Sequence, residues 1–227
     1  MNPRADPAKR ICEIGGPLVR LGRAGFEKGI SALCRAEPRF ARVVARHGPP
    51  PLWRRKAGFA CLVLLMLEQQ VSLAQARAMY ARIEAAGGVT PGSVLHLGED
   101  GLRALGVTRQ KSAYLARLAA QLVARHVDLA AIARMPDAEA LVALDALHGV
   151  GPWTAQCYLL LALGRPDVFP VADLGLMEAV RDLWKMRERP TPEALERRAL
   201  AWRPHRASAA RLLWHHYLSE RGRVVPD

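Results

Sequence analysis

LHGVGPWTA, residues 147–155, is the stretch of sequence that decides the fold. It lies between two segments with helical apolar spacing, one beginning near Pro136 and the other running to Gly164. Two glycines separated by one apolar residue allow a very tight turn, because glycine has no Cβ and lets the backbone approach a ligand closely. A tight turn between packed helices that bind nothing would use glycines in the same way. The longer pattern predicts a helix-hairpin-helix over about 136–164.

The second helix of this hairpin would point free backbone N–H groups at whatever lies against the turn, and a helix N-terminus favours an anion. The chain of 227 residues carries a formal net charge of +12. Such a charge predicts attraction to a polyanion. We therefore expect a DNA phosphate to be held by the hairpin residues Gly149, Val150, Gly151 and Thr154. An RNA or an acidic membrane surface is a further possible partner, but only the net charge supports it.

Asp173 lies beyond the hairpin, at the start of the next predicted helix, Leu174 to Trp184. An Asp at this position is commonly a helix N-cap. A carboxylate can also stabilise the positive charge that develops on a sugar when an N-glycosidic bond breaks, or it can orient water. Because a hairpin that holds the backbone precedes it, Asp173 is predicted to act on a nucleotide flipped out of duplex DNA.

The rest of the chain favours an all-α fold, because strand-type alternation is nearly absent and helix formers dominate. Ser72 with Gln75 three residues later is a capping-box pattern, so one helix is predicted to end near Glu68 and another to begin after Ser72. A loop is predicted over 87–92, with a short helix near 99–104. The pattern predicts about ten helices.

Several classes of protein are disfavoured by what the sequence lacks. The longest apolar run, 59–67, is far shorter than the roughly 20 residues that span a bilayer. Residues 1–10 contain no apolar signal core. The four cysteines are far apart and show no metal-ligand spacing: Cys12, Cys34, Cys61 and Cys157. We expect a monomeric cytoplasmic protein with reduced cysteines, without a metal, a cofactor or a membrane anchor.

The chain resembles the helix-hairpin-helix (HhH-GPD) DNA glycosylases, and within them the alkylpurine branch, the 3-methyladenine DNA glycosylases II. The resemblance covers about Leu52 to Tyr217. It rests on five segments that follow the family's order: 67–72 (LEQQVS), 105–106 with Lys111, the hairpin through Trp153-Thr154-Ala155, 168–175 (VFPVADLG) and 202–206 (WRPHR).

This resemblance implies two helical lobes with a DNA cleft between them: a central lobe over 57–165, and a second lobe formed by 1–56 plus 166–227. It implies that Asp173 is catalytic and that Gln69 and Gln70 lie at the DNA, filling the gap left by the flipped base. Further contacts to DNA are expected from Ser72, Lys111 and Arg206. A solvated helix end is the alternative for Gln69 and Gln70, and the interpretation kept for Glu68.

The base pocket implied by the resemblance is lined by Trp153, Trp202, Cys157, Leu174 and His205. Packing in the core is an equally good explanation for either tryptophan. Cys157 and Leu174 stand where the family can carry aromatic residues, and His205 replaces a Trp. The pocket is therefore predicted to be less aromatic than in relatives.

Three features define the predicted branch and reaction. No cysteine follows Cys157, so no iron–sulfur cluster is expected. Trp153 stands where some relatives carry a hairpin lysine that acts as a covalent nucleophile, so water is the expected nucleophile and an intact abasic site the product. Ala172 stands where the bacterial alkylpurine enzymes often carry another acid. Without a dedicated acid, a cationic alkylated purine is the expected substrate, because it leaves as a neutral molecule.

Two alternatives remain open at this point. One is a glycosylase for a neutral lesion such as uracil, hypoxanthine or an oxidised purine. The other is a non-catalytic helix-hairpin-helix module that only holds DNA.

Overall fold

The computed structural model describes residues 19–223, and within this range every regular element is helical. Cys12 and the segment 1–10 lie outside the described residues. The α-helices of this range are α1 (Arg23–Ala36), α2 (Pro38–His47), α3 (Phe59–Glu68), α4 (Leu73–Ala85), α5 (Pro91–Ala104), α6 (Arg109–Val123), α7 (Leu129–Ile132), α8 (Asp137–Asp145), α9 (Pro152–Tyr158), α10 (Leu174–Leu183), α11 (Pro192–Ala199) and α12 (Arg206–Ser219). A π-helical turn, Leu159–Leu163, continues α9, and a 3₁₀ turn, Leu200–Trp202, follows α11. The predicted all-α class is confirmed.

Local capping sets several helix boundaries. The Ser72 side chain accepts from the backbone N–H of Gln75, whose side chain accepts in return from the Ser72 N–H, so α4 begins where the capping box predicts. The prediction for α5 was wrong, because this helix begins at Pro91. Thr90 and Ser93 form a second capping box there, and Gly98 (φ 62°) kinks the helix near the point where the sequence suggested a new one.

Buried apolar side chains form two clusters. The first is built mainly from α3 to α9, with Leu62, Leu115 and Leu144 at its centre. The second joins α1 and α2 to α10, α11 and α12. Trp214 on α12 packs against both clusters. The lobe limits 57–165 and 1–56 plus 166–227 remain a prediction.

Among residues 19–223, no helix is long and apolar enough to cross a membrane.

Candidate active site

An open cleft of about 2140 Å³ brings together the hairpin turn, the segment after α3 and the start of α10. Asp173 lines it, together with the neighbouring Leu174 and with Trp214 from α12. Basic side chains around the cleft come from Arg54, Lys56, Arg77 and Arg223. Glu84 and Asp145 also line the cleft and are exposed, so its lining carries both signs of charge, and Asp173 is its half-buried carboxylate.

The Asp173 carboxylate is held by three hydrogen bonds. Its Oδ1 accepts from the backbone N–H of Leu176 at 2.9 Å, so it does cap α10. The same oxygen accepts from the indole Nε1 of Trp214 at 3.0 Å, while Oδ2 accepts from Nε1 of Trp153 at 2.9 Å. Two indole donors and a backbone donor fix the orientation of the carboxylate. Asp173 can therefore cap α10 and expose its carboxylate to the cleft at the same time.

Trp214 was missed by the sequence analysis. It is half-buried on α12, and Tyr217 follows three residues later and also lines the cleft. Residues three apart on a helix share a face, so this aromatic pair was the available signal. Tyr217 lies against the first turn of α10, because a Cβ built on Gly175 would be 3.2 Å from its ring. The final helix therefore supplies one wall of the cleft.

Cys157 and Leu174 line the cleft in different ways. Leu174 is 51% exposed at the rim, next to Asp173. Cys157 is 1% exposed beneath it. Burial, and then the charge of Asp173, raise the pKa of the Cys157 thiol well above its usual value. The thiol is therefore neutral at physiological pH and acts as a small packing group, not as a nucleophile.

Glu68 is not a solvated helix end, so that interpretation was wrong. Its carboxylate is buried and accepts two hydrogen bonds from Arg55, at 2.7 and 2.8 Å. Burial alone would lower the pKa of Arg55, but the hydrogen bond and charge of Glu68 raise it above its ordinary value. The backbone N–H of Arg55 donates to the Leu161 carbonyl at the π-helical turn. Both side chains line the cleft, and the sequence separates them by thirteen residues, too far for a local pattern to pair them.

The two glycines of the hairpin have different roles. Gly149 adopts φ 83°, and a Cβ there would lie 2.7 Å from Met66 and Tyr114. Gly149 is therefore required by packing and backbone conformation. Gly151 is the N-cap of α9, and a Cβ there meets nothing within 4 Å. Gly151 thus marks the open side of the turn, where a ligand can approach.

Two of the residues predicted to contact DNA instead brace the hairpin from inside. The Thr154 side chain is 1% exposed and accepts from Gln69 Nε2 at 2.8 Å. The same Gln69 nitrogen donates to the Gly149 carbonyl at 3.0 Å. Val150 is 2% exposed, so only its backbone can face the cleft. For Gln69 and Thr154, the side chains are engaged with each other because the hairpin packs directly onto the end of α3.

The end of α3 is joined to α6 by the side chain of Lys111. Lys111 Nζ donates to the carbonyls of Leu67 and Gln69, each at 2.7 Å. Burial lowers the Lys111 pKa, and the residue does not line the cleft, so its predicted phosphate contact is replaced by a helix C-terminal contact. Gln70 adopts φ 57°, rare for a residue with a side chain, and it is exposed and lines the cleft beside Ser72.

Three further predicted site residues lie elsewhere. Trp202 is 4% exposed in the second core cluster, with its ring 5.4 Å from Phe40 and 5.5 Å from Phe169. It packs the core and does not line the cleft, nor do His205 and Arg206. His205 precedes α12, with Nδ1 turned toward Gly29 of α1. Arg206 forms an ion pair with Asp167 at 2.9 Å, so its side chain is engaged within the protein.

A family model described as HhH-GPD superfamily base excision DNA repair protein matches residues 63–204. In solved structures, the chain is similar to a 3-methyladenine DNA glycosylase of Schizosaccharomyces pombe in complex with abasic DNA, with TM-score 0.73 and 24% identity over 83% of this chain and 94% of that chain. It is also similar to a DNA-3-methyladenine glycosidase of Bacillus halodurans, with TM-score 0.71 and 25% identity over 86% of this chain and 91% of that chain.

Among curated sequences, a Bacillus subtilis protein provisionally named DNA-3-methyladenine glycosylase is 26% identical over 181 residues. The match covers 76% of this chain and 63% of that protein, so the chain spans less than two thirds of this relative.

Proposed function

The chain belongs to the HhH-GPD superfamily of base excision DNA repair proteins, and from this we propose that it is a DNA glycosylase that removes alkylated purines and leaves an abasic site. The observation that carries the proposal is the Asp173 carboxylate, fixed by two indole N–H groups in the cleft beside the hairpin. A module that only holds DNA has no use for a carboxylate displayed there, because it repels phosphate. The two relatives with solved structures and the Bacillus subtilis protein carry names of 3-methyladenine-releasing enzymes.

The proposed reaction breaks the bond between C1′ of the sugar and a purine nitrogen. The bonding electrons leave with the base, and positive charge develops on the sugar. Asp173 stabilises that charge, as carboxylates do in sugar hydrolysis. Oδ2 accepts one hydrogen bond and Oδ1 accepts two, so Oδ2 keeps more capacity to face the sugar. Water then adds to C1′ and releases its proton to the solvent that fills the open cleft, which completes hydrolysis.

Double-stranded DNA is the proposed partner, and two surfaces would hold it. The open side of the hairpin at Gly151 would face a phosphate with the N-terminus of α9. Gln70, projecting from a segment braced by Lys111, would occupy the space left by the flipped base. If the source cell is bacterial, the proposed location is the cytoplasm, because the genomic DNA lies there.

A cationic purine alkylated at N3 or N7 is the proposed substrate class. It departs as a neutral molecule and so needs little help from an acid. Among the described residues that line the cleft, the carboxylate of Glu68 is engaged by Arg55 and that of Asp173 by two indole N–H groups, while Glu84 and Asp145 are exposed. Trp153 and Trp214 beside the carboxylate can attract a cationic ring by cation–π contact, at roughly 0.5–2 kcal/mol each.

The test is single-turnover release of 3-methyladenine and 7-methylguanine, compared with uracil, hypoxanthine and 8-oxoguanine, from matched duplexes. We expect the two alkylated purines to be released fastest. Faster release of a neutral lesion would overturn the substrate class and leave the glycosylase in place. Tight DNA binding with no release of any base would favour the non-catalytic module.

A further inference from the structure

A second group of polar side chains lies where the end of α2 meets the last turn of α12. It comprises His47, His216 and Glu220, and one potential ligand atom from each lies within 4.8 Å of the others. His47 is the last residue of α2, while His216 and Glu220 are four residues apart and therefore share one face of α12. None of the three lines the active-site cleft.

We propose that these three side chains form a binding site for a divalent transition metal ion, with Zn²⁺ the best match. Two imidazole nitrogens and one carboxylate oxygen are a donor set that zinc accepts, with water in a fourth position. Bonds of roughly 2.0–2.1 Å in tetrahedral geometry separate neighbouring donor atoms by about 3.3 Å. His47 Nε2 and Glu220 Oε1 are 2.9 Å apart, and all three ligand atoms lie within 4.8 Å of one another, so a shift of about 1.5 Å or less between donor atoms would bring the ligands to a common ion.

The surroundings of both histidines suit metal ligands. Nε2 of His216 is 2.8 Å from Oδ2 of Asp182, and metal-bound imidazoles commonly donate their other ring N–H to a carboxylate. This contact leaves the lone pair of His216 on Nδ1. Nε2 of His47 is buried and, although close to Glu220, has no well-directed hydrogen bond. Both imidazoles are largely shielded from water, which would otherwise compete for the ion.

One charge opposes a metal ion at this site. Nε of Arg46 lies 3.1 Å from Oε1 of Glu220, and the Arg46 side chain is 69% exposed. The guanidinium must move aside when the ion binds, and its exposure allows that movement. A bound ion would tie α2 to α12, the helix that carries Trp214. Its role would be to stabilise this junction, with no part in bond cleavage.

The test uses the untagged full-length protein, stripped with chelator and titrated with Co²⁺ and then Zn²⁺. We expect one Co²⁺ per chain with visible d–d absorption, displacement by Zn²⁺, and a rise of several degrees in Tm with Zn²⁺. His47→Gln and Glu220→Gln should weaken binding at least tenfold, and Asp182→Asn by roughly 10- to 100-fold. Arg46→Gln should tighten binding, whereas His126→Gln, at an exposed residue of another helix end, should leave it unchanged.

Two results would overturn the site: no one-to-one cobalt spectrum in the wild type, or equal affinity in the wild type, His47→Gln and Glu220→Gln. Thermal unfolding of each variant without metal verifies folding. Base release from lesion DNA is measured separately, and its outcome does not bear on the metal site.

Discussion

Trp214 donates its indole N–H to Oδ1 of Asp173 over 3.0 Å, although the two residues are 41 positions apart. Trp153 makes the corresponding bond to Oδ2 from the hairpin side. The carboxylate is therefore clamped between α9 and α12, and its orientation depends on both core clusters, because Trp214 packs against both.

Trp214→Phe tests this clamp, because it removes the N–H and keeps most of the ring. A hydrogen bond to a charged group contributes about 1.5–3 kcal/mol, so we expect base release to slow by roughly tenfold or more with DNA affinity retained. Single-turnover kinetics and fluorescence anisotropy measure the two quantities. Trp184→Phe, in the second core cluster and away from the cleft, is the matched control. Equal rates in both variants would show that the Trp214 bond does not assist catalysis.

Gly151→Asp tests the hairpin. Because a Cβ at Gly151 meets nothing, the variant should fold, but its charge should repel phosphate and weaken binding to all DNA sequences. Gly151→Ala is the control and should bind nearly as the wild type does. Wild-type affinity should also fall steeply with salt. Normal binding by folded Gly151→Asp would exclude a phosphate contact at this turn.

Gly149→Ala is expected to act on stability instead. The φ of 83° and the 2.7 Å contacts of an added Cβ predict a loss of about 1–3 kcal/mol in the free energy of unfolding. Chemical denaturation measures it, with Gly151→Ala again as the comparison. Unchanged stability would mean that the turn tolerates a side chain on its inner side.

The Arg55–Glu68 pair gives a further prediction about stability. Glu68→Leu leaves the largely buried Arg55 guanidinium without its partner and should cost about 3–5 kcal/mol, whereas Arg55→Met and Glu68→Leu together should cost much less. Denaturation of the two single variants and the double variant forms a double-mutant cycle. Additive effects would show that the pair contributes no coupling energy.

The sequence predicted the elements that depend on local signals. The capping box at Ser72, the hairpin and the N-cap position of Asp173 are all set by residues within a few positions. Roles that depend on long-range packing were not predictable in this way. Trp202 is in the core because α2 brings Phe40 against it, and Lys111 contacts carbonyls because α6 lies beside the end of α3.

The absence of a hairpin lysine predicts that borohydride traps no covalent adduct between enzyme and lesion DNA. Lys56 is the lysine that lines the cleft among the described residues, and it is exposed. If trapping does occur, the Lys56 amine is the candidate nucleophile. Lys56→Gln would then abolish the trapping. Efficient trapping on lesion DNA would contradict the hydrolytic mechanism.

The central claim is that Asp173 performs chemistry and does not merely cap α10. Asp173→Asn still offers an oxygen to the Leu176 N–H, but its amide NH₂ must face one indole donor, at a cost of about 1–3 kcal/mol. Folding and DNA affinity are therefore measured first. The decisive measurement is single-turnover release of 3-methyladenine by this variant. We expect a fall of roughly 10² or more with DNA binding retained; release within about twofold of the wild type by a folded variant would contradict the account.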